Sequence, residues 1–340
     1  MKTIKKEIKL LYIFTIVFLV CSFIMLSTIT IIFSKKINNS KKNDFETISK
    51  SVVSIEAYNG IMANKLGSGF IYKTDDKNAY ILTNNHIVEN STDIRVYISE
   101  EDSVNGEIIG YSTNFDVAVI RIENKNYKAL NLKKDSNIKM GDTVYTIGTP
   151  LSHEFFNSLS SGVISKTSRF RFETNSNENT LMNMIQTDIV TNPGNSGGPL
   201  FNEKLEVIGI CTSNIETSNI SGISFAIPIS QIIDKLDNLE KGELKTPKIG
   251  KVEIVDKTDS EILYSNGLIE KTSEENGVIV IKDDEESNLK KGDVITKINN
   301  DEIMDIYYFN YYLNKYKKDD NIKLTIIRNN KEKIIKVKLK

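Results

Sequence analysis

The sequence predicts a mostly β protein whose two folded domains follow a single membrane-spanning helix. Three observations support this prediction. An uncharged apolar run covers residues 10–33, short apolar segments recur between Ser51 and Pro228, and similar segments return with one helical stretch after Ile249. A chain of 340 residues has room for two domains. Its 39% hydrophobic and 26% charged residues are ordinary values for a globular protein.

The charge balance and the cysteines exclude some classes of function. Lys and Arg number 44 against 45 Asp and Glu, which gives a net charge of −1 and no bulk attraction for nucleic acid. Cys21 lies in the N-terminal apolar run and Cys211 in an apolar segment of the predicted core, so we expect no intrachain disulfide. The sequence has no cluster of cysteine and histidine, so it predicts no structural zinc or other metal site.

The N-terminal run predicts an uncleaved signal anchor. Residues 10–33 form 24 consecutive uncharged residues, which is enough to span a bilayer as a helix. A cleaved signal peptide would have a shorter apolar region and end in a small-x-small site, and no such site follows the run. Residues 1–9 would be a short cytoplasmic N-terminus, and the lysine- and asparagine-rich residues 34–48 a linker.

Residues 49–241 contain short apolar segments separated by polar turns. This spacing is typical of a β-sandwich or a β-barrel, and the pattern does not choose between them. A helical pattern over Ile229 to Leu239 closes the region, with Ile229, Ile232, Ile233 and Leu236 on one face. The clearest predicted strands are Val52–Ile55, Gly69–Tyr72, Ala79–Leu82, Ile94–Ile98, Val117–Ile122, Thr143–Ile147, Gly162–Ser165 and Val207–Cys211.

The run Gly194-Asn195-Ser196-Gly197-Gly198-Pro199-Leu200 is the strongest chemical signal. Glycines permit a tight turn whose backbone N–H groups can converge on an anion beside the Ser196 hydroxyl. A serine nucleophile needs a base and the base needs an orienting carboxylate, for which His86 and Asp116 are the candidates. The other histidine, His153, lies in a loop and is not a candidate base.

The three segments around His86, Asp116 and Ser196 resemble the trypsin-like serine proteases of the HtrA/Deg family. They read Leu82–Val88, Asn114–Ile120 and Asn192–Leu200, in the order His, Asp, Ser. The resemblance implies a chymotrypsin-like pair of six-stranded β-barrels with the active site in the cleft between them. It also implies a catalytic triad of His86, Asp116 and Ser196, an oxyanion hole from the N–H groups of Gly194 and Ser196, no cofactor, and a homotrimer.

The same resemblance assigns residues to specificity and regulation. Thr191, Phe225 and Ala226 would lie at the primary specificity pocket, and no carboxylate other than Asp188 precedes Ser196 in this segment. The implied cleavage therefore follows small or medium apolar residues. A loop over 167–184 would sense a bound ligand through Arg169 and Arg171. The alternative, an exposed basic loop, stays open.

Residues 249–340 resemble a PDZ domain. The segments Gly277–Ile281 and Leu289–Asn299 are similar to its strand, Gly-Asp turn and following strand, and Asp305–Lys317 would be its helix. The segments Ile322–Arg328 and Ile334–Leu339 would be its last strands. The resemblance implies that this domain binds C-terminal peptides by strand addition.

The predicted protein is a membrane-anchored serine endopeptidase that hydrolyses unfolded or damaged proteins outside the cytoplasm, in protein quality control and stress response. Four lysines precede the span and four follow it, so flanking charge does not set its orientation. An N-terminal span usually acts as a signal anchor, which places both domains outside. Two alternatives stay open: a narrow regulatory protease of one membrane signalling partner, and a non-catalytic PDZ chaperone or adaptor.

Overall fold

The computed structural model describes residues 14–30, 44–135, 137–175, 178–212, 222–271 and 276–340. The chain divides into two compact units, Met1–Lys50 and Ser51–Lys340. The first unit contains a helix over 14–30 and a second, short helix over 44–49. All the remaining helices and strands belong to the second unit.

The helix over 14–30 lies within the span predicted for residues 10–33. Within the described ranges, the structure has no helix that is both long and apolar enough to cross a bilayer. Residues 10–13 and 31–33, the predicted N-terminus 1–9 and most of the predicted linker lie outside the described residues. Residues 44–48, the end of the predicted linker, are helical. Asp44 at the start of that helix suits the positive end of the helix dipole.

The second unit begins with a closed barrel of six antiparallel strands. The strand order around the barrel is β1-β2-β3-β6-β5-β4. The strands are β1 Val52–Asn59, β2 Met62–Thr74, β3 Asn78–Thr83, β4 Asp93–Tyr97, β5 Ser103–Ser112 and β6 Val117–Glu123. A four-residue helix, Asn85–Val88, follows β3.

A second closed barrel follows, with the order β10-β11-β12-β9-β8-β7. Its strands are β7 Thr143–Gly148, β8 Ser158–Asn175, β9 Glu178–Thr187, β10 Pro199–Phe201, β11 Val207–Thr212 and β12 Ser224–Pro228. A 3₁₀ turn, His153–Phe155, lies between β7 and β8. The strand pattern is compatible with either a β-sandwich or a β-barrel, and the structure has two β-barrels.

The barrels close because apolar side chains alternate along the strands. In β4 the buried residues Ile94 and Val96 alternate with the exposed Asp93 and Arg95, as expected of a strand with one solvated face. Each barrel encloses its own apolar core. Ile55, Ile71, Ile81, Val96 and Ile120 belong to the first core, and Val144, Ile164, Ile185, Leu200 and Cys211 to the second.

The helix predicted over Ile229 to Leu239 is broken. Two 3₁₀ turns, Ile229–Gln231 and Ile233–Lys235, lead into a four-residue helix, Leu236–Leu239. Three isoleucines fall in the first five positions, and β-branched side chains disfavour regular helix. The predicted apolar face is nevertheless buried, including Ile229, Ile232 and Leu236.

The C-terminal part forms a six-stranded sheet of order β13-β14-β15-β17-β18, with β16 beside β15. Its strands are β13 Glu253–Asp256, β14 Val278–Lys282, β15 Val294–Ile298, β16 Asp301–Glu302, β17 Asn321–Arg328 and β18 Lys331–Lys338. Two helices, Ser260–Ser265 and Ile306–Leu313, and a 3₁₀ turn, Ile269–Lys271, complete it. The second helix is shorter than predicted. Asp305 caps it by accepting a hydrogen bond from the Tyr308 amide at 2.9 Å.

The helix Ile306–Leu313 packs against the hairpin of β8 and β9. The Phe170 ring lies 5.2 Å from the Tyr308 ring and 5.1 Å from the Tyr311 ring, between centroids. The Phe172 ring lies 5.0 Å from the Tyr307 ring. Aromatic edges therefore join the C-terminal sheet domain to the second barrel.

Candidate active site

His86 lies on the short helix Asn85–Val88, which connects β3 to β4 of the first barrel. Its ring Nδ1 lies 2.8 Å from Asp116 Oδ2, and its backbone N–H donates to Asp116 Oδ1 at 2.9 Å. One carboxylate therefore fixes both the backbone and the ring of His86. Because Nδ1 faces a carboxylate, the neutral ring carries its proton there and leaves Nε2 as the proton acceptor.

Asp116 is held in an uncommon backbone conformation at the start of β6. Its φ of +48° lies in the left-handed region, which few residues other than glycine and asparagine adopt. The buried Asn84 side chain donates to the Asp116 carbonyl oxygen at 2.9 Å and secures this turn. Asp116 is only 2% exposed, so its carboxylate acts on His86 with little screening by water.

Two opposing effects set the protonation of His86. Burial alone would lower the pKa of the imidazole, but the negative charge of Asp116 and the hydrogen bond to it raise that pKa above its usual 6.5. The positive charge of Lys65, whose ammonium donates to the His86 carbonyl, acts in the opposite direction. Asp116 thus makes His86 a stronger base.

The Ser196 loop packs against the end of the strand that leads to His86. Gly197 has a φ of +86° and donates its N–H to the Cys211 carbonyl at 2.8 Å. A Cβ at Gly197 would lie 2.1 Å from the Ser68 carbonyl oxygen and 2.4 Å from Thr83 Oγ1. Only glycine permits this close approach. It places the Ser196 loop against the end of β3, just before His86.

A turn over residues 192–195 orients the peptide bond that precedes Gly194. The Asn195 N–H donates to the Asn192 carbonyl at 3.0 Å, and Gly194 has a φ of +99°. The Pro193 carbonyl accepts from the Leu151 N–H at 2.7 Å. Since the C=O and N–H of a trans peptide point in opposite directions, the Gly194 N–H is directed away from Leu151. This orientation of the Gly194 N–H suits a hydrogen-bond donor to an oxyanion.

Ser68 fixes the next peptide bond and was not among the predicted site residues. Its hydroxyl donates to the Gly194 carbonyl at 2.6 Å and accepts from the Thr149 N–H at 3.0 Å. Its own N–H donates to the Ser196 carbonyl at 2.7 Å. The segment Gly67-Ser68-Gly69-Phe70 marked this strand in the sequence, but nothing in it indicated a contact with the serine loop.

His153 lies outside the triad and anchors the loop between β7 and β8. Its Nε2 lies 2.7 Å from Glu56 Oε1 on β1, and its ring stacks on Tyr97 with centroids 4.0 Å apart. Burial alone would raise the pKa of Glu56, but hydrogen bonds from Tyr58, His153 and Tyr97 lower it. The same loop carries Leu151, so this cluster helps to hold the Leu151 N–H group that donates to the Pro193 carbonyl.

The residues predicted for the specificity pocket lie near one another on the second barrel. Thr191 Oγ1 is 2.7 Å from the Ser224 hydroxyl at the start of β12. Phe225 is buried beneath the guanidinium of Arg171, whose Cζ is 4.0 Å from the ring centroid. Ala226 belongs to the core of the second barrel. Residues 213–221, which precede β12, lie outside the described residues.

The predicted regulatory loop is a β-hairpin. Arg169 and Arg171 lie on β8 and pair with Met184 and Met182 of β9, so a strand replaces the expected loop. The alternation of Phe170 and Phe172 with polar residues is the sequence signal that indicates a strand here. Arg171 Nε lies 3.4 Å from Glu173 Oε1. Residues 176 and 177 at the hairpin tip lie outside the described residues.

The thiol of Cys211 is not a candidate nucleophile. Cys211 is buried, and this burial raises the pKa of its thiol to about 11, which keeps it protonated. In the part of the chain that the structure describes, no group of three or more His, Cys, Asp or Glu side chains could hold a metal ion.

Comparisons with known proteins agree with this geometry. Residues 67–210 match the trypsin-like peptidase domain and residues 267–339 match the PDZ domain. The chain is 32% identical over 316 residues to the serine protease Do-like HtrA of Lactococcus lactis subsp. lactis (strain IL1403), covering 89% of this chain and 77% of the relative. The corresponding protein of Lactococcus lactis subsp. cremoris (strain MG1363) is 31% identical over 330 residues, covering 90% and 81%.

Solved structures give the same result. The HtrA-type protease AlgW with tripeptide has a TM-score of 0.65 and 27% identity, covering 88% of this chain and 96% of that one. The two matched domains occur in the order protease then PDZ, as the resemblance of the sequence implies. The chain belongs to the HtrA family of serine proteases: it is a serine endopeptidase with a trypsin-like peptidase domain and one C-terminal PDZ domain.

Proposed function

We propose that Ser196, His86 and Asp116 form the catalytic triad. The observation that carries this proposal is the Asp116 carboxylate bound to both the ring and the backbone of His86. The Ser196 hydroxyl attacks the carbonyl carbon of the scissile peptide bond while His86 Nε2 takes its proton. The protonated imidazole, stabilised by Asp116, then gives that proton to the departing amine.

The N–H groups of Gly194 and Ser196 stabilise the oxyanion of this step. The Leu151 N–H holds the Pro193 carbonyl and the Gly198 N–H holds the Asn195 carbonyl at 3.1 Å, so the two peptide bonds that carry these donors are fixed before substrate binds. Water, activated by the same histidine, then hydrolyses the acyl-enzyme and restores the Ser196 hydroxyl. The Thr191, Phe225 and Ala226 group is the proposed primary pocket for small or medium apolar side chains.

The proposed substrates are unfolded or damaged proteins, because unfolding exposes apolar side chains that the folded state buries. The test is digestion of unfolded casein by the purified protein and by its Ser196→Ala variant. We expect many products from the wild type and none above background from the variant. Cleavage of a single protein partner with no casein digestion would favour the narrow regulatory protease. No cleavage of any substrate would favour the adaptor.

The proposed peptide site of the PDZ domain is a groove beside its helix Ile306–Leu313. A cavity of about 690 Å³ lies there, lined by Gly250, Val252, Phe309 and Leu313 among others. Gly250 has a φ of +128°, and a Cβ there would lie 2.3 Å from an Asp284 carboxylate oxygen. The apolar side chains of Val252, Phe309 and Leu313 on one part of this lining, together with the glycine turn, support binding of a C-terminal peptide by strand addition.

The hairpin of β8 and β9 is the proposed route from this domain to the active site. Arg169 and Arg171 are its candidate regulatory residues. The support is positional: the PDZ helix contacts Phe170 and Phe172 on the same strand, and Arg171 covers Phe225 of the proposed pocket. A movement of the PDZ helix Ile306–Leu313 would therefore be transmitted along β8 to the proposed specificity pocket.

We further propose that residues 10–33 anchor the protein in the cell membrane, with both domains extracytoplasmic and the chain assembled as a homotrimer. The uncharged run supports the anchor and the behaviour of N-terminal spans supports the orientation. The test of location is added protease on intact cells, followed by an antibody to the PDZ domain. The test of assembly is the mass of the purified particle in solution.

A further inference from the structure

A basic cavity lies where the protease domain, the PDZ domain and the linker between them, residues 243–248, meet. Its volume is about 210 Å³. Five lysines line it and no acidic side chain does: Lys235, Lys245, Lys317, Lys318 and Lys340. They come from three separate segments, the turn that closes the protease domain, the linker, and the C-terminal domain. Positive charge from distant parts of the sequence therefore converges on one small space.

Lys235 is the unusual member of this group because it is only 7% exposed. Its ammonium donates one long hydrogen bond, 3.4 Å, to the Lys315 carbonyl and lies 5.7 Å from the Phe115 ring centroid. Burial and the charge of Lys317 lower the pKa of Lys235. A buried ammonium is costly unless an anion pairs with it, and lysine is rarely buried without such a partner.

The two carboxylates whose charges act on Lys235 are engaged elsewhere. Asp234 Oδ1 lies 2.7 Å from the Lys134 ammonium and faces solvent. Asp320 Oδ2 accepts from the backbone N–H of Lys317 at 2.8 Å. Neither is among the residues that line the cavity. Among the other lysines, Lys340 pairs with Glu286, Lys245 lies 3.8 Å from Glu243, and the Lys317 ammonium donates to the Asp234 carbonyl at 2.9 Å. None of these three partners belongs to the lining, so the cavity itself holds no carboxylate from the described residues.

We propose that this cavity binds a small oxyanion of the phosphate class. Several ammonium groups from three directions suit a multiply charged, compact anion with oxygen atoms on every side. Neutral donors are also present: Asn314 is buried in the lining, and Thr246 accepts from the Asn114 side chain at 2.6 Å, which leaves its own proton to donate. The anion contacts all three segments and stabilises their contact. The site is independent of the proposed catalytic mechanism.

Isothermal titration of inorganic phosphate into the purified full chain tests the site, at constant ionic strength with chloride as the competing anion. We expect saturable binding of one phosphate per chain. Lys235→Met and Lys318→Met should each weaken it by about tenfold or more, because each removes a charged donor. Lys318→Arg, which keeps the charge, should retain binding. Lys331→Met, at an exposed lysine outside the cavity, is the matched control and should bind like the wild type.

Two results would overturn the site: no saturable phosphate binding, or equal affinity in the wild type and in both Met variants. Because Lys318 is exposed, its variants should fold, and they still test the site if Lys235→Met does not fold. Glycerol 3-phosphate provides a second arm with the same chemistry. Tighter binding than inorganic phosphate would assign the site to an esterified phosphate, and equal or weaker binding would assign it to the free anion.

Discussion

The Ser68 hydroxyl donates to a carbonyl 126 residues later in the chain, on the peptide that follows the proposed oxyanion donor. The sequence identified His86, Asp116 and Ser196 because each lies in a local motif. Ser68 could not be assigned in this way, since its partners Thr149 and Gly194 are set by how the two barrels pack. Local motifs thus predict the reacting groups better than the groups that position them.

Ser68→Ala should lower kcat by about tenfold and leave KM unchanged, since it removes one hydrogen bond that orients the oxyanion turn and leaves the buried Gly194 carbonyl unpaired. Steady-state hydrolysis of a short peptide measures both constants. Ser68→Thr, which keeps the hydroxyl, should recover most of the loss. Ser287→Ala, at a buried serine of the PDZ domain, is the control. Unchanged kcat in Ser68→Ala would contradict the positioning role.

The pH dependence of kcat/KM should report His86. The charge of Asp116 raises the pKa of His86 above 6.5 despite burial, and only the neutral ring accepts the serine proton. Activity should therefore fall as pH decreases, with the midpoint of the acid limb above pH 6.5. Lys65→Met removes a charge that lowers this pKa, so it should move the limb to higher pH. A midpoint at or below 6.5, or no shift in Lys65→Met, would be inconsistent with this assignment.

At the scale of elements, the strand pattern was informative and the helix pattern less so. Eight predicted strands fall on strands of the two barrels, because each has an apolar face that a barrel can bury. The apolar face over Ile229 to Leu239 was also predicted, but the isoleucines break the helix into turns. The hairpin of β8 and β9 was missed because its polar residues favoured a loop.

The aromatic contact between this hairpin and the PDZ helix gives a prediction of its own. Phe170→Ala removes ring contacts with Tyr308 and Tyr311, each worth about 0.5–1.5 kcal/mol. We expect faster proteolytic cleavage in the linker 243–248, measured by limited digestion and mass spectrometry. Tyr264→Ala, at an exposed aromatic residue on the other PDZ helix, should cleave at the wild-type rate. Equal rates in both variants would show that the rings do not hold the domains together.

At the scale of the whole molecule, the sequence indicated two domains but not how they meet. The linker 243–248 lies on the protease surface, where the Leu244 N–H donates to the Tyr111 carbonyl at 2.9 Å. Just before the linker, Glu240 accepts from the Tyr72 hydroxyl at 2.7 Å. Such contacts depend on the packed barrel and leave no local pattern. The predicted limits of 241 and 249 remain predictions.

Removal of the PDZ domain should separate catalysis from its regulation. A chain ended after Thr246 keeps the contacts of Glu240 and Leu244, so it should hydrolyse a short peptide at the wild-type rate. It should lose any response to C-terminal peptides and digest casein more slowly. A chain ended at Leu239 lacks both contacts and is the comparison, with a lower melting temperature expected. Loss of short-peptide hydrolysis in a folded chain ended after Thr246 would make the PDZ domain part of the catalytic unit.

Ser196 is the proposed nucleophile, activated by His86 and Asp116. The most direct measurement is labelling of the purified protein with a fluorophosphonate, followed by mass spectrometry of the labelled peptide. We predict one label per chain, on Ser196, with none in Ser196→Ala or His86→Ala, and a loss of about 10⁶-fold in kcat for the serine variant. A label on another residue, or an unlabelled wild type that still cleaves peptide bonds, would contradict the assignment.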